Sequence, residues 1–150
     1  MVRIKTGAYA VYMNSCISWI STGSSVSKLL IHLVFVVKYR RKALTNEILL
    51  DAESICSESA EKTNFEIIEF GGEADHIHLL VQIPPTLAVC QIVKVLKGNT
   101  SRLLRAKHRD HLKRFLWGSH LWSPSYCAVS CGGATLETIK RYIESQDRPP

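Results

Sequence analysis

Residues 27 to 38, Ser-Lys-Leu-Leu-Ile-His-Leu-Val-Phe-Val-Val-Lys, form an almost unbroken apolar run, which reads as a strand buried on both faces. The pattern then changes to a helical period. Thr45 is placed to cap a helix reaching about Lys62, with Ile48, Leu49, Ala52, Ile55 and Cys56 on one face. Phe65 to Phe70 predicts a second strand, and Gly71-Gly72 a turn after it. A third strand follows in His76-Ile-His-Leu-Leu-Val81 and stops at Pro84-Pro85. Thr86 is expected to cap a second helix carrying Val89, Ile92, Val93 and Leu96, with Gly98 as its weak point. Ser125 to Ser130 predicts a fourth strand. Thr135 then caps a last helix from Leu136 to about Gln146.

The order β-α-β-β-α-β-α is that of an α+β protein. Its first six elements match the ferredoxin-like (RRM-like) arrangement, an antiparallel sheet with helices on one face. The seventh is a C-terminal helix carrying Tyr142. Residues 1–26 lack a clear period, end in the loop-like cluster Ser21-Thr-Gly-Ser-Ser25, and read as an N-terminal arm. Residues 27–150 read as a single domain.

At 150 residues and 46% hydrophobic content the chain is long enough to bury a real core. The net charge of +6 suits a polyanionic partner. Five cysteines (16, 56, 90, 127 and 131), an odd number without CxxC spacing, indicate reduced thiols rather than a disulfide framework or a zinc ribbon. The apolar stretch Leu29 to Val37 is far short of the roughly 20 residues a bilayer span needs. A cytoplasmic protein with no membrane partner is expected.

The candidate chemistry begins with His76 and His78. One residue apart on a strand, their imidazoles share a face and can hold a divalent metal. Two protein ligands leave such a site incomplete. Tyr142 and Gln146 stand four residues apart on the last helix, hence on one face. A tyrosine hydroxyl is a feasible nucleophile in phosphoryl transfer, and a glutamine carbonyl is a hard oxygen ligand for Mg²⁺ or Mn²⁺. Asp75 is placed either to orient a histidine or to stabilise the turn before the strand.

Four motifs in order, Asp-His-Ile-His-Leu-Leu at 75–80, Lys-Gly-x-x-Ser-Arg at 97–102, Leu-Trp-Ser-Pro-Ser-Tyr at 121–126 and Arg-Tyr-Ile-Glu-Ser-Gln at 141–146, resemble the single-tyrosine HUH transposases of the insertion-sequence 200/605 type. Residues 32–41 also resemble that family's first strand, so the likeness covers about residues 28 to 147. It implies that His76, His78 and Gln146 hold the metal and that Tyr142 is the nucleophile. It further implies cleavage of single-stranded DNA with hairpin ends through a 5′-phosphotyrosine link and a free 3′-OH, followed by strand transfer that excises and inserts a mobile element. Homodimers whose sheets join, with a tyrosine helix able to serve the partner's site, are implied as well. The first 25 residues and the short tail after Gln146 depart from the family pattern without touching the catalytic set.

Under this resemblance Lys38, Arg40, Arg41, Lys97, Arg102 and Arg105 become phosphate contacts, and Tyr39 a base-stacking residue. Trp117 and Trp122 are expected in the core. Tyr126, in a strand without a ligand-bearing partner at matching spacing, is a poorer nucleophile than Tyr142. Competing readings are a rolling-circle initiator or relaxase, a domesticated HUH nuclease acting on repeat DNA, and a non-catalytic ferredoxin-like nucleic-acid-binding module. A two-histidine phosphoesterase is disfavoured because the chain has no H-x-T or H-x-S pair.

Overall fold

The computed structural model describes residues 19–130. Two short strands come first, β1 (Ile20–Thr22) and β2 (Ser25–Ser27), paired antiparallel across Gly23. The cluster expected as loop is therefore a hairpin, its small polar residues at the turn. Next come β3 (Leu29–Val36), a 3₁₀ turn (Lys38–Arg40) and α1 (Asn46–Thr63). They are followed by β4 (Glu66–Glu73), β5 (His76–Ile83), α2 (Val89–Lys107), α3 (Arg109–Leu112) and β6 (Cys127–Ser130).

The main sheet has the order β4-β5-β3-β6 with every pair antiparallel. With β3 and β5 central and β4 and β6 at the edges, this is the ferredoxin-like topology expected from the element order. Leu33 and Phe35 of β3 and Ile77, Leu79 and Val81 of β5 form the core with Ile48, Leu49 and Ala52 of α1 and Ile92, Leu96 and Leu104 of α2. Side chains alternate across a strand, so Val34, Val36, His76 and His78 fall on the opposite face of the sheet. Val34 and Val36 are buried there too, consistent with the apolar run of β3, which only His32 interrupts.

Local signals held in most places and failed in two. Thr45 caps α1 as expected, its Oγ1 accepting from the Ile48 N–H at 3.2 Å. The helix ends on Asn64 in the left-handed region (φ 63°, ψ 45°), where asparagine is tolerated. Thr86, however, does not cap α2. Ala88 occupies that position, and the Gln91 side chain accepts from its N–H at 2.9 Å. A residue three positions into the helix thus satisfies the end that a threonine was expected to satisfy.

Gly71-Gly72 is not a turn either. Both glycines lie inside β4, opposite His78 and Ile77, and the chain reverses two residues later at Ala74-Asp75. Backbone donors fix that reversal: Val37 N–H reaches the Asp75 carbonyl at 2.8 Å and Leu44 N–H the Ala74 carbonyl at 2.9 Å.

The candidate metal centre and the basic cavity beside it

The β4–β5 register builds the first half of the site. Glu73 pairs with His76 and Gly71 with His78, so all four share one face. His76 is 8% exposed. Its Nδ1 hydrogen-bonds Asp75 Oδ1 at 2.8 Å, which fixes the ring and turns Nε2 away from the carboxylate. Asp75 Oδ2 in turn accepts from Arg40 Nη2 at 3.5 Å, and both side chains are 13% exposed. Arg40 is delivered there by an unusual stretch of backbone: Tyr39 and Arg40 both have positive φ, 61° and 52°, a conformation costly for residues with a Cβ.

The His76 and His78 rings are 6.2 Å apart and tilted by 32°, close enough for ring nitrogens to reach one ion between them. Burial, then the nearby His76 and His32, pushes the His78 imidazole down to about 4, so it is neutral at physiological pH. A neutral imidazole is the form that binds metal. Gly71 supplies the space. A Cβ on it would stand 2.6 Å from His78 Nε2, so the ring occupies a cradle that any other residue would fill.

Glu73, Asp75 and His76 also offer ligand atoms within 4.8 Å of one another. That cluster, one imidazole with two carboxylates, is a mixed nitrogen and oxygen donor set of the kind a divalent cation such as Mn²⁺ or Mg²⁺ takes. His78 is not part of it, and the Asp75 oxygens are already engaged by His76 and Arg40. Sequence reasoning missed Glu73 because the turn was placed at Gly71-Gly72, which would have left it outside the strand. It also missed His32. This residue pairs with Leu80, on the same face as His76 and His78, and burial lowers its pKa. Its position inside an apolar run was the available signal. Tyr142 and Gln146, the expected nucleophile and third ligand, lie outside the described residues.

The basic residues divide into two groups. Lys38, Lys97, Arg102 and Arg105 line a single cavity of about 640 Å³, with Gly98, Ser101 and the segment 119–124 making up the rest of its wall. Lys97 Nζ donates to the Ser123 carbonyl at 2.6 Å and the Ser125 carbonyl at 3.2 Å, and Arg105 Nη2 to the Gly118 carbonyl at 2.8 Å. Partial burial lowers the Lys97 pKa. Arg40 and Arg41 sit elsewhere: Arg40 against Asp75, and Arg41 with its guanidinium carbon 5.0 Å from the centroid of the Trp117 ring. Tyr39 is exposed beside Lys38, whose Nζ lies 5.4 Å from its ring centroid.

The two tryptophans also part company. Trp122 is in the core as expected, its Nε1–H donating to Thr100 Oγ1 at 2.8 Å. Trp117 is not. It is 80% exposed, because the chain leaves the core immediately after Leu116. Among the described residues no helix is long and apolar enough to cross a membrane.

A family profile described as "Transposase IS200 like" matches residues 25–146. The ISDra2 transposase TnpA of Deinococcus radiodurans is 37% identical over 115 residues, covering 77% of this chain and 81% of that protein. The transposase for insertion sequence element IS200 of Salmonella typhimurium is 36% identical over 115 residues, covering 77% and 74%. A crystal structure of a candidate transposase from Deinococcus radiodurans superimposes with a TM-score of 0.79 at 32% identity, covering 87% of this chain and all of that one.

Proposed function

The chain belongs to the IS200-like transposase family, a family of DNA-processing enzymes, and on that premise we propose that it is a metal-dependent single-strand DNA transposase acting through Tyr142. The observation that carries the metal-dependent part is the pairing of His76 with His78 on β5, one ring held by Asp75 and the other seated over Gly71.

His76 and His78, with Gln146 as third ligand, would hold Mg²⁺ or Mn²⁺, which when bound supplies Lewis-acid polarisation of a phosphate oxygen. The chain's own residues do the remainder. Asp75 keeps the His76 ring in one orientation, and burial keeps His78 free of a proton. Lys38, Lys97, Arg102 and Arg105 place four cations along one cavity, a phosphate-binding surface for the strand. The Tyr142 hydroxyl loses its proton and attacks the scissile phosphorus. The bond to the 3′ oxygen breaks, leaving a 5′-phosphotyrosine and a free 3′-OH. Attack by a different 3′-OH on that linkage restores a phosphodiester and frees the tyrosine, so excision and insertion need no external energy source. Hairpin-ended DNA as substrate, a homodimer as the working unit and a cytoplasmic location complete the reading.

The test is incubation of the full chain with a hairpin-containing single-stranded oligonucleotide and Mg²⁺ or Mn²⁺. A protein–DNA adduct that survives denaturation is expected, and it should vanish in Tyr142→Phe. An adduct persisting in that variant would overturn the nucleophile assignment. Undiminished activity of His76→Ala in the presence of a chelator would remove the metal role.

A further inference from the structure

A single exposed apolar side chain is ordinary on a protein surface. The surroundings of Trp117 are not. Its neighbour Leu116 is buried, yet the indole is 80% exposed. The Arg41 guanidinium stands against it at 5.0 Å, and Arg41 Nε, itself buried, has no hydrogen-bond partner among the described residues. Among the described residues Arg41 packs on the ring and pairs with no carboxylate. The residue after Trp117 is tethered as well, the Gly118 carbonyl accepting from Arg105, whose side chain lines the basic cavity with Lys38, Lys97 and Arg102. The indole thus stands two residues before Ser119, where the chain enters the wall of the cationic cavity, and is backed by a planar cation of its own.

We propose that Trp117, backed by Arg41, is a stacking platform for one unpaired base of the DNA strand whose phosphates lie along that cavity. The inference rests on the single-strand DNA reading above and adds to it a base-binding position. Aromatic stacking suits any base, because every base has a π-face, and a neighbouring arginine adds a cation–π contribution. Little preference for base identity follows. A second copy of the chain would also cover the indole, but the Arg41 guanidinium against it and the net charge of +6 favour a polyanion over a like-charged surface.

The experiment measures Kd for a single-stranded oligonucleotide with chelator present, so that binding is read without cleavage. Trp117→Ala is expected to weaken binding about five- to a hundredfold, with Trp117→Tyr staying within a few-fold of the parent. The slope of log Kd against log salt should not change, because stacking releases no counterions. Replacing bases one at a time by abasic sites should reproduce the loss at one position, where Trp117→Ala should then be insensitive. Equal affinity of Trp117→Ala and the parent would overturn the platform, as would a loss that persists on a wholly abasic strand. A monomer–dimer shift in Trp117→Ala without a change in Kd would assign the indole to a subunit contact instead. If the parent forms the Tyr142 adduct while Trp117→Ala binds normally, only this inference falls. If the parent binds no single strand, both readings fall.

Discussion

The His78 imidazole lies over the α-carbon of Gly71, its partner across the β4–β5 ladder, so closely that a Cβ there would stand 2.6 Å from Nε2 and 2.7 Å from Cε1. Glycine inside a strand ordinarily weakens it, so its presence opposite a candidate ligand calls for a reason. Room for the ring is that reason. The relationship couples a residue without a side chain to the position of one with a chemical role.

Gly71→Ala should therefore damage the site more than the fold. The clash falls on the movable end of a side chain, so the ring swings aside while the backbone stays. Adduct formation is expected to fall at least tenfold and to need more Mn²⁺ for half-maximal yield, with the thermal midpoint within a few degrees of the parent. An unchanged Mn²⁺ dependence would show that Gly71 reserves nothing for His78.

Asp75 connects Arg40 to His76, at 3.5 Å on one side and 2.8 Å on the other. Removing such a supporting carboxylate typically costs about 10- to 100-fold in metal affinity or activity. Asp75→Ala should show that loss, and Asp75→Asn a smaller one, since an amide oxygen still accepts from Nδ1. Arg40→Lys should retain more activity than Arg40→Ala. If Arg40→Ala instead lowers the salt slope of DNA binding by about one, Arg40 is a phosphate contact and not a support for Asp75.

Arg102 lines the basic cavity and gives the converse expectation. Arg102→Ala should weaken binding by a similar factor across DNA sequences and reduce the salt slope by about one. Titration of binding at several salt concentrations decides it, a slope equal to the parent's ruling out the contact.

The Trp122–Thr100 hydrogen bond is buried, with Thr100 Oγ1 also donating to the Leu96 carbonyl at 2.7 Å. Thr100→Val leaves the indole N–H without its acceptor, a loss of about 1–3 kcal/mol. Thermal unfolding should register it as a drop of roughly 2–10 °C. Denaturation at the parent's midpoint would show that the bond contributes nothing.

Asp51 hydrogen-bonds Lys107 and His108, and the Lys107 ammonium foremost holds its carboxyl below the usual carboxylate range. A depressed carboxylate contributes stability above its unfolded-state pKa of about 4, and the contribution disappears as pH falls through the lower folded value. Asp51→Asn should be the less stable protein at pH 6, with the gap to the parent closing below about pH 4. A gap independent of pH would trace the effect to packing rather than to charge.

Much of this architecture was legible because its signals are local. Seven apolar positions out of eight made β3, helical periodicity made α1 and α2, and a threonine with a free hydroxyl capped α1. The failures have local causes as well. Two adjacent glycines imitate a turn wherever they occur, and only the packing of Gly72 against Leu49 and of Gly71 against His78 shows why they belong in a strand. Thr86 had the right chemistry for a cap, but the chain enters the helix two residues later.

The sequence by itself determined that His76 and His78 share a face, because strand alternation allows nothing else, and that basic residues accumulate at 38–41 and 97–109. Only the tertiary structure decided what each of them meets. Strand register, which no single strand encodes, set His78 over Gly71 and Glu73 beside His76. The two left-handed residues at 39 and 40 brought Arg40 to Asp75, while Lys38 joined Lys97, Arg102 and Arg105 around one cavity. Trp117 and Trp122 are the same residue type five positions apart, yet one is bare and the other buried, because burial belongs to the packed molecule and not to the side chain.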